Sequence, residues 1–398
     1  MPSTFDADPA ERVRRVFERH ATVGLHHGAQ LAVYDGDELV LDLATGTVGP
    51  DGPATTPDRR HVLFSCTKPY AGVCLHRLVE RGHLDYDDPV RDHWPGFAED
   101  GSEKAEATVR HVLSHQAGLP YGPFDEAYDQ WNDWDAAVAA MEALDPRFRP
   151  GTTAAYHALT YGFLVGELVR RVSGQSIDAY ARDNVFEPLG MDDTSIGLPA
   201  GDPDDAATLT GFAPGERCRD AGVGLDGRES EAAALFNRES IRRAVIPAAT
   251  GIGTARDMAR FYACLVNGGA LDGGPASGAS GTSAEERGER SESAGTRLLD
   301  AETVETATSV QVEVERDATL SVPRRYALGF ERAGTAWDKY GTLAPRTTFG
   351  HGGLGSIVGW GDPASGLAMA YVTNGIRDET EHGQRACEMA DAVRRAFG

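Results

Sequence analysis

The sequence predicts an α/β (α+β) fold in which strands from both ends of the chain form one sheet and a helical lobe is inserted between them. Strand patterns occur near residues 30–43 and again near residues 326–372, whereas helical patterns fill most of the stretch between them. Of the 398 residues, 41% are hydrophobic, which suffices for a sizeable core and excludes a chain that is disordered throughout.

Apolar periodicity and turn residues define the elements of the first part of the chain. Val13, Val16 and Phe17 fall on one helical face, and two apolar runs flank an Asp-Gly-Asp turn. These patterns predict a helix over residues 10–21, strands over Gln30–Tyr34 and Glu38–Leu43 around the turn Asp35-Gly36-Asp37, and a helix over residues 66–81 that ends at Gly82.

The same signals define the later elements. Residues 83–175 hold several helical patterns broken by Pro and Gly, of which Tyr161–Val172 is the clearest. Strands are predicted over Tyr326–Phe330, Ser356–Trp360 and Leu367–Val372, the last two joined by the turn Asp362-Pro363-Ala364-Ser365-Gly366, and a helix over residues 378–397 closes the chain.

One segment differs in composition from the rest. Residues 268–297 are rich in Gly, Ser and Glu and contain almost no apolar side chain, so we expect a flexible surface insertion. The predicted organisation is a single domain over residues 1–398, with a sheet lobe from residues 1–82 and 298–398, a mainly helical lobe from residues 83–267 and the insertion at residues 268–297.

The charge balance is strongly acidic. Lys and Arg number 38 and Asp and Glu number 61, which gives a formal net charge of −23. A surface of this sign repels nucleic-acid phosphates and anionic membranes, so neither is expected as a partner. The only lysines are Lys68, Lys104 and Lys339, and this scarcity beside the acidic excess favours a salt-loving source. The alternative is an ordinary acidic mesophilic protein.

Targeting signals and cysteine pairs are both missing from the sequence. Met1–Arg19 has no apolar core of a signal peptide, and no run approaches the ~18 apolar residues of a membrane helix. The five cysteines form no C-x-x-C pair and no zinc spacing, so neither a disulfide framework nor a metal site is expected. We therefore expect a soluble, cytoplasmic protein.

Ser65-Cys66-Thr67-Lys68 is an S-x-x-K motif at the start of a predicted helix. Three residues make almost one helical turn, so Ser65 and Lys68 share a face. Burial lowers the pKa of a lysine, so that its neutral amine can act as a base toward the serine. The alternative is a Ser cap with a solvated Lys, but the scarcity of lysine and the apolar surroundings favour burial.

Two further segments carry candidate chemistry. Tyr156 follows a Pro-Gly turn just ahead of a helix, and a nearby lysinium would let it lose its proton more easily and serve as a base. The alternative, which this segment by itself favours, is a capping or packing Tyr. Residues 349–355, Phe-Gly-His-Gly-Gly-Leu-Gly, precede a predicted strand, and their glycines would let backbone N–H groups approach a ligand, as an oxyanion site needs. Because no β-α-β unit surrounds this run, we reject a dinucleotide site.

His111 and His115 are spaced four apart, which could place two imidazoles on one helical face for a metal. No Glu stands between them as in H-E-x-x-H and no third ligand is evident, so this site is disfavoured. The sequence contains no G-x-S-x-G, which excludes the nucleophile elbow of α/β-hydrolases.

Taken together, Ser65-x-x-Lys68, Tyr156 and His351-x-Gly353 occur in the order and rough spacing of the serine β-lactamase and penicillin-binding-protein family, which the chain resembles. It is most similar to the class C β-lactamase-related branch, which includes the family VIII carboxylesterases and D-amino-acid peptidases. Two more segments, residues 113–119 and 188–194, are similar to that branch, and the resemblance spans about residues 10 to 395 apart from residues 268–297.

The resemblance implies an antiparallel sheet flanked by helices, an all-helical lobe and a site between them. It assigns Ser65 as the nucleophile and Lys68 and Tyr156 as the pair that activates it. The backbone N–H groups of Ser65 and Leu354 would form the oxyanion hole. The residues assigned to substrate binding are His351, Gly353, Leu354 and His157, with His351 standing where many relatives carry a Lys that meets the substrate carboxylate.

Two departures from the family pattern bear on the substrate. Ala158 replaces the Asn of the Y-x-N motif, which holds the substrate amide in β-lactamases. The third motif is H-x-G and not K-T-G, and a His is mostly neutral at pH 7. Both losses favour small neutral esters over amides, so the sequence predicts a serine hydrolase with esterase activity.

Several alternatives remain open. Within the family they are a D-stereospecific peptidase or amidase and a weak β-lactamase. In another class, a catalytically silent binding or scaffold protein is possible, but intact Ser65, Lys68 and Tyr156 argue against it. No cofactor or metal is expected, and the expected partner is a small-molecule ester or amide.

Overall fold

The computed structural model of the chain describes residues 8–123, 130–218, 227–271 and 295–398. Of the helices in these ranges, none is both long enough and apolar enough to cross a membrane. The α-helices are α1 (Pro9–Thr22), α2 (Lys68–Glu80), α3 (Val90–His93), α4 (Val109–Leu113), α5 (Trp134–Ala143), α6 (Thr160–Ser173), α7 (Ile177–Ala181), α8 (Glu187–Leu189), α9 (Arg228–Phe236), α10 (Glu239–Arg243), α11 (Ala255–Val266), α12 (Ala301–Thr308) and α13 (Glu379–Phe397), with 3-10 turns at Ser65–Thr67 and Glu103–Glu106 and a π-turn at Arg182–Phe186.

The described strands are mostly short, apart from those that build the centre of the main sheet. They are β1 (Gly28–Asp35), β2 (Glu38–Gly46), β3 (His61–Phe64), β4 (Ser195–Ile196), β5 (Thr210–Gly211), β6 (Gly251–Gly253), β7 (Ala270–Leu271), β8 (Thr296–Arg297), β9 (Val312–Val314), β10 (Arg324–Tyr326), β11 (Glu331–Arg332), β12 (Phe349–Gly353), β13 (Ile357–Asp362), β14 (Leu367–Thr373) and β15 (Gly375–Ile376).

The main sheet joins the two ends of the chain. Its eight strands run in the order β2-β1-β14-β13-β12-β11-β10-β9, and every neighbouring pair is antiparallel. The junction lies between β1 and β14, where Leu31 is paired with Tyr371. The predicted fold class, an antiparallel sheet flanked by helices and built from both ends of the chain, is confirmed.

Helices cover both faces of this sheet. Val13 and Phe17 of α1 and Met389 of α13 share one apolar core with Trp360 and Tyr371 of the sheet. On the other face, α11 lies so close to β13 that a Cβ on Gly359 would stand 2.6 Å from the sulfur of Met258. Helix α11 therefore belongs to the sheet layers, although its residues fall within the stretch that the sequence assigned to the helical lobe.

Two predicted elements differ in the structure. The predicted strand Tyr326–Phe330 is the turn between two strands: β10 ends at Tyr326, Ala327 N–H donates to Phe330 O at 2.9 Å, Gly329 has φ +86°, and β11 begins at Glu331. Part of the expected insertion, residues 272–294, lies outside the described residues. Its two flanks are paired, since β7 and β8 form an antiparallel ladder.

Candidate active site

Ser65 stands at the junction of strand β3 and helix α2. The preceding residue, Phe64, has φ +48° and ψ −135°, a region that non-glycine residues rarely occupy and that costs conformational energy. The turn is fixed by Thr67, whose hydroxyl donates to Phe64 O at 2.6 Å and accepts from Gly251 N–H at 2.8 Å. The strained residue turns the chain sharply from strand to helix, so Ser65 occupies the first position of the helical turn.

Lys68 is completely buried directly beneath this serine. Its Nζ lies 3.1 Å from Ser65 Oγ and donates to the backbone oxygens of Ala158 at 2.8 Å and Ala248 at 3.1 Å. Burial lowers the pKa of Lys68 to about 7, against the opposing effect of the Glu331 carboxylate. A substantial fraction of neutral amine is therefore present near neutral pH, as a base for Ser65 requires.

Tyr156 reaches the same serine from the helical side. The Ser65 side chain lies close enough to the Tyr156 hydroxyl to act on its pKa, and Lys68 Nζ lies 4.7 Å from the centre of the Tyr156 ring. Burial, reinforced by the Glu331 carboxylate, raises the pKa of Tyr156 well above its ordinary value. Contrary to the expectation that a nearby lysinium lets Tyr156 lose its proton more easily, its surroundings favour the protonated phenol, and the group whose pKa lies near neutral is Lys68.

The third motif forms strand β12 itself, whereas the sequence placed it ahead of a strand. Gly353 must be a glycine because a Cβ there would lie 2.8 Å from Leu63 O and 3.3 Å from Phe64 Cβ. In addition, Cys66 Sγ donates to His351 O at 3.2 Å. The close approach that the glycines permit is thus to the protein segment that carries Ser65.

His351 lies on β12 facing the ring of Tyr156, with the two ring centres 6.1 Å apart. It is only 2% exposed, and burial lowers its pKa to about 4, so it carries no charge near neutral pH. Its Nδ1 is 2.7 Å from Gly352 O, and within the described part of the chain its buried Nε2 has no hydrogen-bond partner. With the proton assigned to Nδ1, Nε2 is a neutral acceptor.

Leu354 begins the turn between β12 and β13 and is 38% exposed, with φ +23°. The next residue, Gly355, has its carbonyl oxygen held by Arg377 N–H at 2.9 Å and by the Arg385 guanidinium at 2.7 Å. The turn is therefore anchored from helix α13 and the residues just before it. That the N–H groups of Ser65 and Leu354 form an oxyanion hole stays a prediction.

His157 does not fit the substrate-binding role that the sequence gave it. It is fully buried, its Nε2 accepts from Leu119 N–H at 3.0 Å, and its Nδ1 lies 2.6 Å from Ala155 O. Both ring nitrogens are thus used in internal hydrogen bonds, and His157 fixes the fold around Tyr156.

The spacing of His111 and His115 does not form a metal site. Helix α4 ends at Leu113, and His115 has φ +61°, so the two residues do not share a helical face. His111 caps its own helix through Thr108. Within the described ranges no group of three or more His, Cys, Asp or Glu side chains could hold a metal ion.

Two charged residues near the site were not identified as site residues from the sequence. The Glu331 carboxylate acts electrostatically on Lys68, Tyr156 and His351. Burial raises the pKa of Glu331, but Arg324 and neighbouring cations outweigh this effect, so its pKa is lowered overall. Lys339 Nζ lies 3.3 Å from where a Cβ of Gly352 would stand and is paired with Glu379 at 2.7 Å. The scarcity of lysine was the one available signal, and it singled out Lys339 without giving it a role.

Known proteins resemble the chain over nearly its whole length. A family profile described as beta-lactamase matches residues 13–394. The esterase/beta-lactamase LipL of Mycobacterium tuberculosis is 33% identical over 365 residues, which cover 87% of this chain and 77% of LipL.

Two solved structures share the fold. A penicillin-binding protein homologue from Caulobacter crescentus has a TM-score of 0.78 at 32% identity and covers 97% of this chain and 98% of its own. A family VIII carboxylesterase has a TM-score of 0.76 at 27% identity, with 98% of each chain covered. The resemblance inferred from the motifs is confirmed, and the chain belongs to the beta-lactamase family of serine hydrolases.

Proposed function

We propose that the protein is a carboxylesterase that hydrolyses small neutral esters through an acyl-enzyme on Ser65. The observation that carries the proposal is the contact of Ser65 Oγ with a buried Lys68 whose pKa is about 7, in a site where His351 is neutral. Relatives named as an esterase/beta-lactamase and a family VIII carboxylesterase support it.

Acylation follows from these positions. The neutral amine of Lys68 accepts the proton of Ser65 while Oγ bonds to the ester carbonyl carbon. The backbone N–H groups of Ser65 and Leu354 stabilise the oxyanion of the tetrahedral intermediate. When the ester C–O bond breaks, the proton held by Lys68 reaches the leaving alkoxide through the Tyr156 hydroxyl, which releases the alcohol.

Deacylation uses the same groups in reverse order. A water molecule gives its proton to Lys68 by way of Tyr156, and its oxygen bonds to the acyl carbon. The bond to Ser65 Oγ then breaks, Ser65 takes the proton back, and the carboxylic acid leaves. Each group returns to its starting protonation state, so one cycle converts one ester and one water into the alcohol and the carboxylic acid.

The ester preference is supported by what surrounds these groups. Ala158 has no side chain that could hold an amide, and its carbonyl oxygen is already bound by Lys68 at 2.8 Å. His351 is neutral, and the charge of Lys339 is compensated by Glu379 at 2.7 Å. An ester has a better leaving group than an amide and tolerates these losses.

A second candidate is amidase, D-peptidase or weak β-lactamase activity. The observation that favours it is Lys339, whose ammonium lies beside Gly352 and could pair with a substrate carboxylate if it left Glu379. A catalytically silent scaffold is less well supported, because Ser65, Lys68 and Tyr156 are in mutual contact.

The decisive experiment combines covalent labelling with a substrate panel. A serine-directed fluorophosphonate should label Ser65 in the wild type, and Ser65→Ala should abolish labelling and lower ester turnover by on the order of 10³-fold or more. Aryl esters of increasing acyl length are compared with a cephalosporin and a D-alanyl dipeptide. If kcat/KM for the cephalosporin or the peptide equals that for the best ester, the second candidate replaces the first.

Near-wild-type turnover in a folded Ser65→Ala preparation would contradict the acyl-enzyme itself. Labelling of Ser65 without turnover of any ester would retain the nucleophile and show that the attacked carbonyl belongs to another class of substrate.

We further propose that the protein works in a salt-rich cytoplasm. The net charge of −23 and the presence of only three lysines among 38 basic residues support a high-salt environment.

A further inference from the structure

The segment that carries Tyr156 is held by groups remote in sequence. Residues 153–157 belong to no helix or strand. The N–H of Tyr156 donates to Asp317 Oδ1 at 3.1 Å, and the N–H of His157 donates to His115 Nδ1 at 3.0 Å. Two consecutive backbone N–H groups therefore donate to two side chains, one in the loop after β9 and one in the residues after α4.

Asp317 is fully buried and its carboxylate is saturated with donors. Besides Tyr156, Oδ1 accepts from the N–H groups of Thr319 at 2.8 Å and Leu320 at 2.7 Å, and Oδ2 accepts from the Tyr326 hydroxyl at 2.9 Å. A buried carboxylate is costly unless it is fully hydrogen-bonded. Because its own loop supplies two of the four donors, the carboxylate is held in place independently of Tyr156.

His115 completes the support from the opposite side. Its ring centre lies 4.8 Å from those of Tyr156 and Tyr326, and its backbone oxygen accepts from Ala155 N–H at 3.0 Å. Burial lowers the pKa of His115 well below its ordinary value, so the imidazole is neutral and Nδ1 is free to accept. The residue adopts φ +61°, a conformation that few side chains tolerate.

We propose that Asp317 and His115 are positioning residues that fix the main chain of Tyr156 so that its hydroxyl stays directed at Ser65. The inference rests on the proposed function, because it assumes that Tyr156 moves a proton during ester hydrolysis. Displacement of a catalytic group by about 1 Å can cost on the order of 10²-fold in rate. A purely structural role would lower stability and leave kcat unchanged.

The first test removes and then restores the acceptor at residue 317. Asp317→Ala should lower kcat for an aryl ester about 10²-fold with KM little changed, and should slow fluorophosphonate labelling of Ser65. Asp317→Asn keeps an oxygen for the three N–H groups and should lose less than about tenfold. Tyr326→Phe is the matched control, because it removes a donor from Oδ2 and leaves the Tyr156 contact intact.

The second test is a double-mutant cycle with Tyr156→Phe. If Asp317 acts only through Tyr156, adding Asp317→Ala to Tyr156→Phe should lower kcat by less than about threefold more. Additive losses, or a folded Asp317→Ala with wild-type kcat, would overturn the inference. Near-wild-type activity of Tyr156→Phe alone would instead contradict the proposed mechanism, so the two failures are distinguishable.

If Asp317→Ala does not fold, the comparison is made at His115. Asn presents an acceptor near the position of Nδ1 and tolerates positive φ, whereas Ala has no acceptor. We expect kcat of His115→Asn to exceed that of His115→Ala by at least about tenfold. Equal kcat values for the two variants would show that the acceptor does not position Tyr156.

Discussion

Lys68 is completely buried, and its proposed role as a base requires it to change charge. Its ammonium has three acceptors, Ser65 Oγ and two backbone oxygens, so the charged form is stabilised without a contacting carboxylate. Burial nevertheless lowers its pKa to about 7, because three neutral acceptors stabilise the ammonium less than full hydration in water does. The amine can therefore take a proton from Ser65 and release it again within one cycle.

This pKa predicts the pH dependence of the reaction. Only the neutral amine accepts the proton of Ser65, so kcat/KM should rise as the pH increases through about 7 and fall below it. Lys68→Met keeps the approximate side-chain volume without the amine, and Lys68→Arg keeps a charge that cannot be lost. Both should lower kcat/KM by on the order of 10³-fold and remove the acidic limb of the profile. Wild-type activity of Lys68→Arg would exclude the base role.

Local spacing predicted the part of the site that lies within one turn of chain. Ser65 and Lys68 are three residues apart, and the structure brings them into contact as that spacing requires. The roles of His115, His157 and Asp317 depend on long-range contacts across 38 to 161 residues, which no local pattern records. His157 was misassigned for this reason, because the Leu119 N–H that occupies its Nε2 is 38 residues away, and only the Ala155 oxygen at its Nδ1 is close in sequence.

At the scale of elements, β12 couples the sheet to the nucleophile. The strand lies against Leu63 and Phe64 on one side and pairs with β13 on the other. Both contacts are so close that they require glycine in β12, where a side chain would clash. The run of glycines predicted close approach to a ligand, whereas the close approach that the structure shows is to protein. The strand contains three glycines, so tertiary pairing stabilises it and not intrinsic β-propensity, which disfavours Gly.

Gly353→Ala should test this coupling. The added Cβ would lie 2.8 Å from Leu63 O, which is backbone and cannot turn away, so β12 and the Leu354 turn must move. We expect a loss of about 1–3 kcal/mol in the free energy of unfolding and at least about a tenfold fall in kcat. Chemical denaturation measures the free energy of unfolding, and ester turnover measures kcat.

The matched control is Gly383→Ala in helix α13, where a Cβ would meet nothing within 4 Å. Replacing a helical Gly by Ala should raise the free energy of unfolding by up to about 1 kcal/mol and leave kcat unchanged. If Gly353→Ala behaves like this control, the close contact between β12 and the Ser65 segment is not required for activity.

Across the whole molecule, the topology follows from pairing the two ends of the chain. Strand patterns at both ends were visible in the sequence, and the hairpins β1–β2 and β13–β14 were placed by their turns. The pairing of β1 with β14 joins segments more than 300 residues apart; strand patterns at both ends suggested a shared sheet, but no local pattern specified which strands pair. Closing so long a loop costs conformational entropy that local sequence does not reveal.

The net charge of −23 makes a prediction about the whole molecule. Repulsion among like charges destabilises the compact state, and its range shrinks from ~30 Å at 0.01 M salt to ~3 Å at 1 M. Salt also weakens surface ion pairs such as Arg110–Asp87, but exposed pairs contribute only about 0–1 kcal/mol each. We therefore expect repulsion to dominate and Tm to rise with KCl concentration.

The shape of that rise separates the two explanations of the acidic surface. Screening of an ordinary acidic protein is nearly complete once the Debye length falls to ~8 Å at 0.15 M, so its Tm should reach a plateau there. A protein adapted to high internal salt should continue to gain stability up to molar KCl, and its ester turnover should increase over the same range. Calorimetric Tm values from 0.01 to 3 M KCl make the distinction. A plateau near 0.15 M would favour the acidic mesophile. A Tm that does not change with KCl would contradict a destabilising role of charge repulsion and would have no bearing on the chemistry of Ser65.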